Sequence, residues 1–161
     1  MDRYLEALER VRRTNPFAHL FALVDGLQHE AAFGQVLTAE QGVALFLGTP
    51  DEPLAHAGPW LIDVQAQHDL CSALADAELV APVCSWLITA VPFPGLVQLL
   101  QNKLDMRLPD GKVALIRYHD PRVLRRLALT LRPDQRETFF EHIDEWHFMV
   151  DGQAFHVGRG Q

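Results

Sequence analysis

Three aspartates stand near the end of a predicted strand: Asp25 after Leu20-Phe21-Ala22-Leu23-Val24, Asp63 after Trp60-Leu61-Ile62, and Asp120 after Arg117-Tyr118-His119. Open α/β sheets place ligands at strand ends, and a carboxylate cluster there can hold Mg²⁺ for phosphoryl chemistry. Local chemistry accounts for the same residues more simply. Asp120-Pro121 reads as a helix N-cap followed by proline at the first helical position, where its missing donor costs nothing. Asp25-Gly26 reads as a turn that ends a strand, and Asp63 as part of a half-buried strand. No glycine-rich phosphate loop accompanies them.

Other reactive side chains are equally dispersed. His119-Asp120 is the pair used by metal phosphohydrolases, but that fold is all-helical and needs further His and Asp ligands on other helices, so a lone pair on an α/β junction does not make such a site. His142, His147 and His156, with Asp144 and Glu145, fit no tight ligand spacing and read as surface histidines. Ser72 and Ser85 are the only serines, and neither lies in a Gly-x-Ser-x-Gly elbow. Cys71 and Cys84 fall on an apolar helix stripe and in an apolar strand, where a thiol acts as a small hydrophobe. The sequence therefore predicts no catalytic residue, no cofactor site and no metal site.

The elements that would position these groups alternate between helix and strand. Residues 2–13 read as an amphipathic helix through Tyr4, Leu5, Leu8 and Val11, ended at Asn15-Pro16. Strands are expected at 20–24, 43–47, 60–64 and 84–90, with helices at 30–37, 67–79 and 94–104. Pro109-Asp110-Gly111 marks a hairpin over 106–116. The helix capped by Asp120 turns Val123, Leu124, Leu127 and Leu131 inward. A further helix from Pro133 buries Phe139, Phe140 and Ile143. A second hairpin turns at Asp151-Gly152, and residues 158–161 read as a frayed tail. The expected fold is α/β: a single domain over 1–161, with a mixed central sheet flanked by helices and a C-terminal helix and hairpin.

Charge is unevenly spread. The net charge is −7, yet no Lys or Arg occurs between Arg13 and Lys103. Such a stretch offers no cations to a nucleic-acid backbone, so no nucleic-acid partner is expected. It either packs against the basic second half or steers a basic partner segment. No apolar run reaches membrane-spanning length, the N-terminus lacks the pattern of a signal peptide, and two cysteines are too few for a disulfide scaffold. A cytoplasmic protein without a membrane partner is expected. The remaining candidates are surfaces. Arg122, Arg125 and Arg126 share one helix face suited to carboxylates, and Trp146, between Glu145 and His147, is a candidate interface anchor.

Four segments in order carry a resemblance: Phe21-Ala22-Leu23-Val24-Asp25-Gly26, Phe46-Leu47-Gly48-Thr49, Gly58-Pro59-Trp60-Leu61-Ile62, and Arg117-Tyr118-His119-Asp120-Pro121-Arg122-Val123-Leu124. Over residues 18–145 the chain resembles the small domain of type VI secretion effector chaperones, or adaptors, long catalogued as a domain of unknown function. The resemblance implies a non-enzymatic bacterial protein that binds a secreted effector and helps load it onto the valine–glycine repeat spike protein. It makes Asp25, Gly26, Arg117, Asp120, Pro121 and Arg122 structural motif residues. Two departures stand out: His119 replaces an aromatic that relatives often carry, and the long helical lobe of many relatives does not follow. The alternative function is an immunity protein that docks on a toxin, and a third is a metal-dependent hydrolase using the strand-end aspartates.

Overall fold

A computed structural model describes residues 1–158. Its centre is β1 (His19–Asp25), in which six of seven residues are buried. That continuous apolar run follows from two covered faces and two paired edges. On one side β1 pairs with β3 (Pro59–Asp63), on the other with β4 (Cys84–Thr89). Beyond β3 lies the two-residue β2 (Val43–Ala44); beyond β4 come β7 (Glu145–Val150) and β8 (Gln153–Gly158). Residues 159–161, three of the four assigned to a frayed tail, lie outside the described residues.

Leu20, Ala22 and Val24 face a layer made by α1 (Asp2–Arg12) and α3 (His68–Ala77), meeting Tyr4, Leu8, Val11, Cys71 and Leu74. Phe21 and Leu23 face the opposite layer. There α4 (Phe93–Gln101), α5 (Pro121–Thr130) and α6 (Pro133–Phe139) contribute Leu96, Leu100, Leu124, Ala128 and Phe139. This two-sided burial is the α/β domain expected, with one difference. Every strand pairing is antiparallel, although a mixed sheet was expected. The β3–α3–β4 unit has the form of a parallel crossover, but β1 is inserted between its strands, so among the described residues no parallel strands are neighbours.

Other boundaries moved for local reasons. The helix expected at 30–37 is α2 (Gly26–Phe33), closed by Gly34 at φ 73°. It starts directly from the end of β1, because Asp25 caps it rather than forming a turn. The strand expected at 43–47 stops at Ala44, and a 3₁₀ helix (Glu52–Ala57) leads into β3. The first hairpin, β5 (Asp105–Arg107) and β6 (Val113–Leu115), forms a separate two-stranded sheet.

Candidate functional site

The two aspartate junctions, 95 residues apart in the chain, meet at one end of the sheet. Asp25 ends β1 and its Oδ1 accepts from the backbone N–H groups of Leu27 and Gln28, both at 3.1 Å. These are donors that the first turn of a helix leaves without intrahelical partners. Asp120 does the same for α5, its Oδ1 accepting from the Arg122 N–H at 2.9 Å. Pro121 occupies the first helical position and is buried. The Asp120 cap and its proline are thus as the sequence predicted.

Glycine at position 26 is required by close approach. Its N–H donates to the Gly58 carbonyl at 2.8 Å, and a Cβ there would overlap the His56 carbonyl oxygen. Gly58 is confined in the same way by the Phe46 ring. Phe46 in turn meets the His119 ring edge-on at 6.2 Å. Residues from all four segments named above therefore form one packed junction: Asp25-Gly26, Phe46, Gly58 and His119-Asp120.

Within it, the His119 Nε2 lies 3.9 Å from the Asp25 Oδ2, and both side chains are almost wholly buried. Asp25 Oδ2 and His119 Nδ1 have no hydrogen-bond partner among the described residues. Burial raises the Asp25 carboxyl above its ordinary range, opposed by the Gln28 N–H and helped by the nearby Asp120 charge. Burial, with the Arg117 charge, lowers His119 to about 4, so the imidazole is neutral at physiological pH. Burial also raises Asp120, but the Arg122 guanidinium overcomes this and leaves it below its usual value. Arg122 Nε and Nη2 donate to the two Asp120 oxygens at 2.9 and 2.8 Å. The junction holds two helix starts and a strand end together, with Asp25, His119 and Asp120 buried and Arg122 at its exposed edge.

Asp63 does not join it. The pairing Phe21↔Asp63 puts it at the opposite end of the sheet from Asp25, so the carboxylate trio is not assembled. Among the described residues no three His, Cys, Asp or Glu side chains group as a metal site. His142 sits at φ 67° after α6 rather than within a helix. His147 and His156 stack across the hairpin at 5.4 Å, and His147, expected at the surface, is largely buried beside Glu145. Cys71 and Cys84 are buried thiols; burial pushes Cys71 up to about 12 and Cys84 also upward.

The surface candidates divide. Arg117, Arg122 and Arg126 are exposed, but Arg122 is committed to Asp120. Arg125 is half-buried, its guanidinium 4.9 Å from the Phe155 ring centre. Trp146 is not a surface anchor. It is completely buried, stacks on Phe139 and donates its indole N–H to Ser85 Oγ at 2.9 Å. Strand alternation turns 146, 148 and 150 toward the layer of α5 and α6, whatever charges flank them in sequence.

Composition alone concealed Glu78, an acid of the stretch without Lys or Arg. It is buried, accepting from the Tyr4 hydroxyl at 2.5 Å, the Trp86 indole at 2.9 Å and the Arg3 guanidinium at 2.8 Å. This network ties α1 to the end of α3. Its only sequence signal was Glu78 closing an apolar helix stripe next to a strand containing tryptophan.

A groove of about 350 Å³ opens beside the junction, between the loop after α3 and the turn joining β7 to β8. Leu79, Val80, Pro82, Met149 and Val150 line it, with Arg122 at its margin. No curated protein and no solved structure matches the chain. A family model described as a domain of unknown function (DUF4123) matches residues 20–138, which includes all four junction segments, α3, α4 and α5, and leaves out α1. The chain belongs to the DUF4123 family.

Proposed function

We propose that this protein is a non-enzymatic cytoplasmic adaptor that binds a secreted effector and assists its loading onto the type VI secretion spike. One observation carries the reading. Asp25, His119 and Asp120, from the resembling segments, cap helices or face each other in a buried junction, while the surface around that junction presents apolar side chains. Residues spent in this way serve a scaffold, and exposed apolar side chains beside a groove suit protein binding. The type VI assignment itself rests on the resemblance, which the family match accommodates without naming a partner.

The test is co-expression of the full chain with the effector encoded beside it, followed by co-purification and secretion assays. Co-purification, with effector delivery lost when the adaptor gene is deleted, is the expected result. Rescue of cells from a toxin without any effect on delivery would replace this reading with an immunity protein. Absence of any complex would overturn both.

A further inference from the structure

One end of the sheet collects the end of β1, the starts of β3 and β4, the end of β2 and the β7–β8 turn. The register requires this: Val24 pairs with Trp60 and Cys84, Ala44 with Trp60, and Ser85 with Phe148. Around this end the chain leaves Leu27, Leu47, Leu54, Leu79 and Val80 exposed, Val80 at 89% and Leu79 at 56%. Scattered single apolar residues are ordinary, but five on adjacent connections, two of them consecutive and edging a groove, are not.

The charges of the same connections have one sign. Glu30 and Asp76 are exposed, as are Glu52 and Asp151, and residues 14–102 contain no Lys or Arg. The cations reaching this end come from the second half: Arg122, already held by Asp120, and Arg117, whose charge acts on Asp25 and His119. A partner segment seated there meets apolar contact and a net negative charge, four exposed acids against two arginines. We infer that this end of the sheet is a docking face for a partner segment whose apolar anchors are flanked by lysines or arginines, one anchor filling the groove between residues 79–82 and 149–152. The inference rests on the reading of the chain as a protein-binding adaptor, and names the surface and the chemistry of what it takes.

The probes are two fluorescein-labelled 16-residue peptides of alternating leucine and lysine pairs, one as such and one with glutamate in place of lysine. Fluorescence anisotropy with the full chain is expected to show binding of the lysine peptide, weakened at least fivefold by Leu79→Ser/Val80→Ser. Both positions are exposed, so circular dichroism should be unchanged. Phe17→Ser, at the opposite end of the sheet and 77% exposed, should leave binding as it was. No binding of the lysine peptide, equal binding of the glutamate peptide, unchanged binding by the double variant, or equal weakening by Phe17→Ser would each overturn the assignment. A dimer in sedimentation that Leu79→Ser/Val80→Ser dissolves would also overturn it, giving the face to a second copy of this chain. Because these readouts do not involve the effector, failure here is distinct from failure of the co-purification experiment.

Discussion

His119 offers the most direct test of the buried junction, because its environment makes acid stability a signature of one side chain. The folded protein holds the ring neutral, lowered from 6.5 to about 4, whereas an unfolded chain titrates it near 6.5. Between these values the unfolded state binds more protons, so stability present above pH 6.5 is lost as pH falls toward 4. At about 1.4 kcal/mol per pKa unit the full loss is about 3 kcal/mol, of which about 2 kcal/mol is gone by pH 5. His119→Phe keeps a ring against Phe46 and removes a buried nitrogen that lacks a partner. It should therefore be no less stable than the parent at pH 7.5. Asp25, whose raised pKa acts in the opposite sense on acidification, is present in both proteins. Urea unfolding at pH 7.5 and 5.0 should show the parent losing about 2 kcal/mol more than His119→Phe. Equal losses in the two proteins, or a His119 ring titrating near 6.5 by NMR, would refute the buried neutral imidazole.

Three further perturbations probe the scaffold. Asp120→Ala removes the α5 cap and should cost about 1 kcal/mol, lowering the melting temperature by roughly 3 °C; an unchanged melting curve would remove the capping assignment. Gly26→Ala drives a methyl into the backbone of His56, and a loss of about 3 kcal/mol in denaturant titration is expected, against about 1–2 kcal/mol for alanine at Gly34, where nothing crowds a Cβ and only the positive φ opposes it. Glu78→Ala leaves the Trp86 indole and Tyr4 hydroxyl without their buried acceptor and should cost about 3 kcal/mol. Arg3→Ala, at the partly exposed end of the same network, should cost less than about 1 kcal/mol, and comparable losses for the two would refute the network's buried character.

Much of this architecture was written in local sequence. The fully apolar Leu20–Val24 run announced a central strand because a strand covered on both faces has no place for a polar side chain. Asp120-Pro121 announced a helix start because capping involves only neighbouring residues. The two hairpins followed from Asp110-Gly111 and Asp151-Gly152, whose glycines adopt φ of 83° and 74°. What tertiary structure decided were the facts that depend on distant partners. Insertion of β1 between β3 and β4 made an antiparallel sheet from a sequence that alternates like a parallel one, since pairing is settled by strand order rather than strand composition. Trp146 reads as surface from its charged neighbours, yet the strand pleat sends those neighbours to the other face and the indole into the core. The meeting of Asp25 with His119 arises only once β1 and the α5 junction reach the same sheet end. Capping is a short-range demand visible in four residues; burial, field and a partner's proximity are set by the whole fold, and they turned two unremarkable turns into one junction.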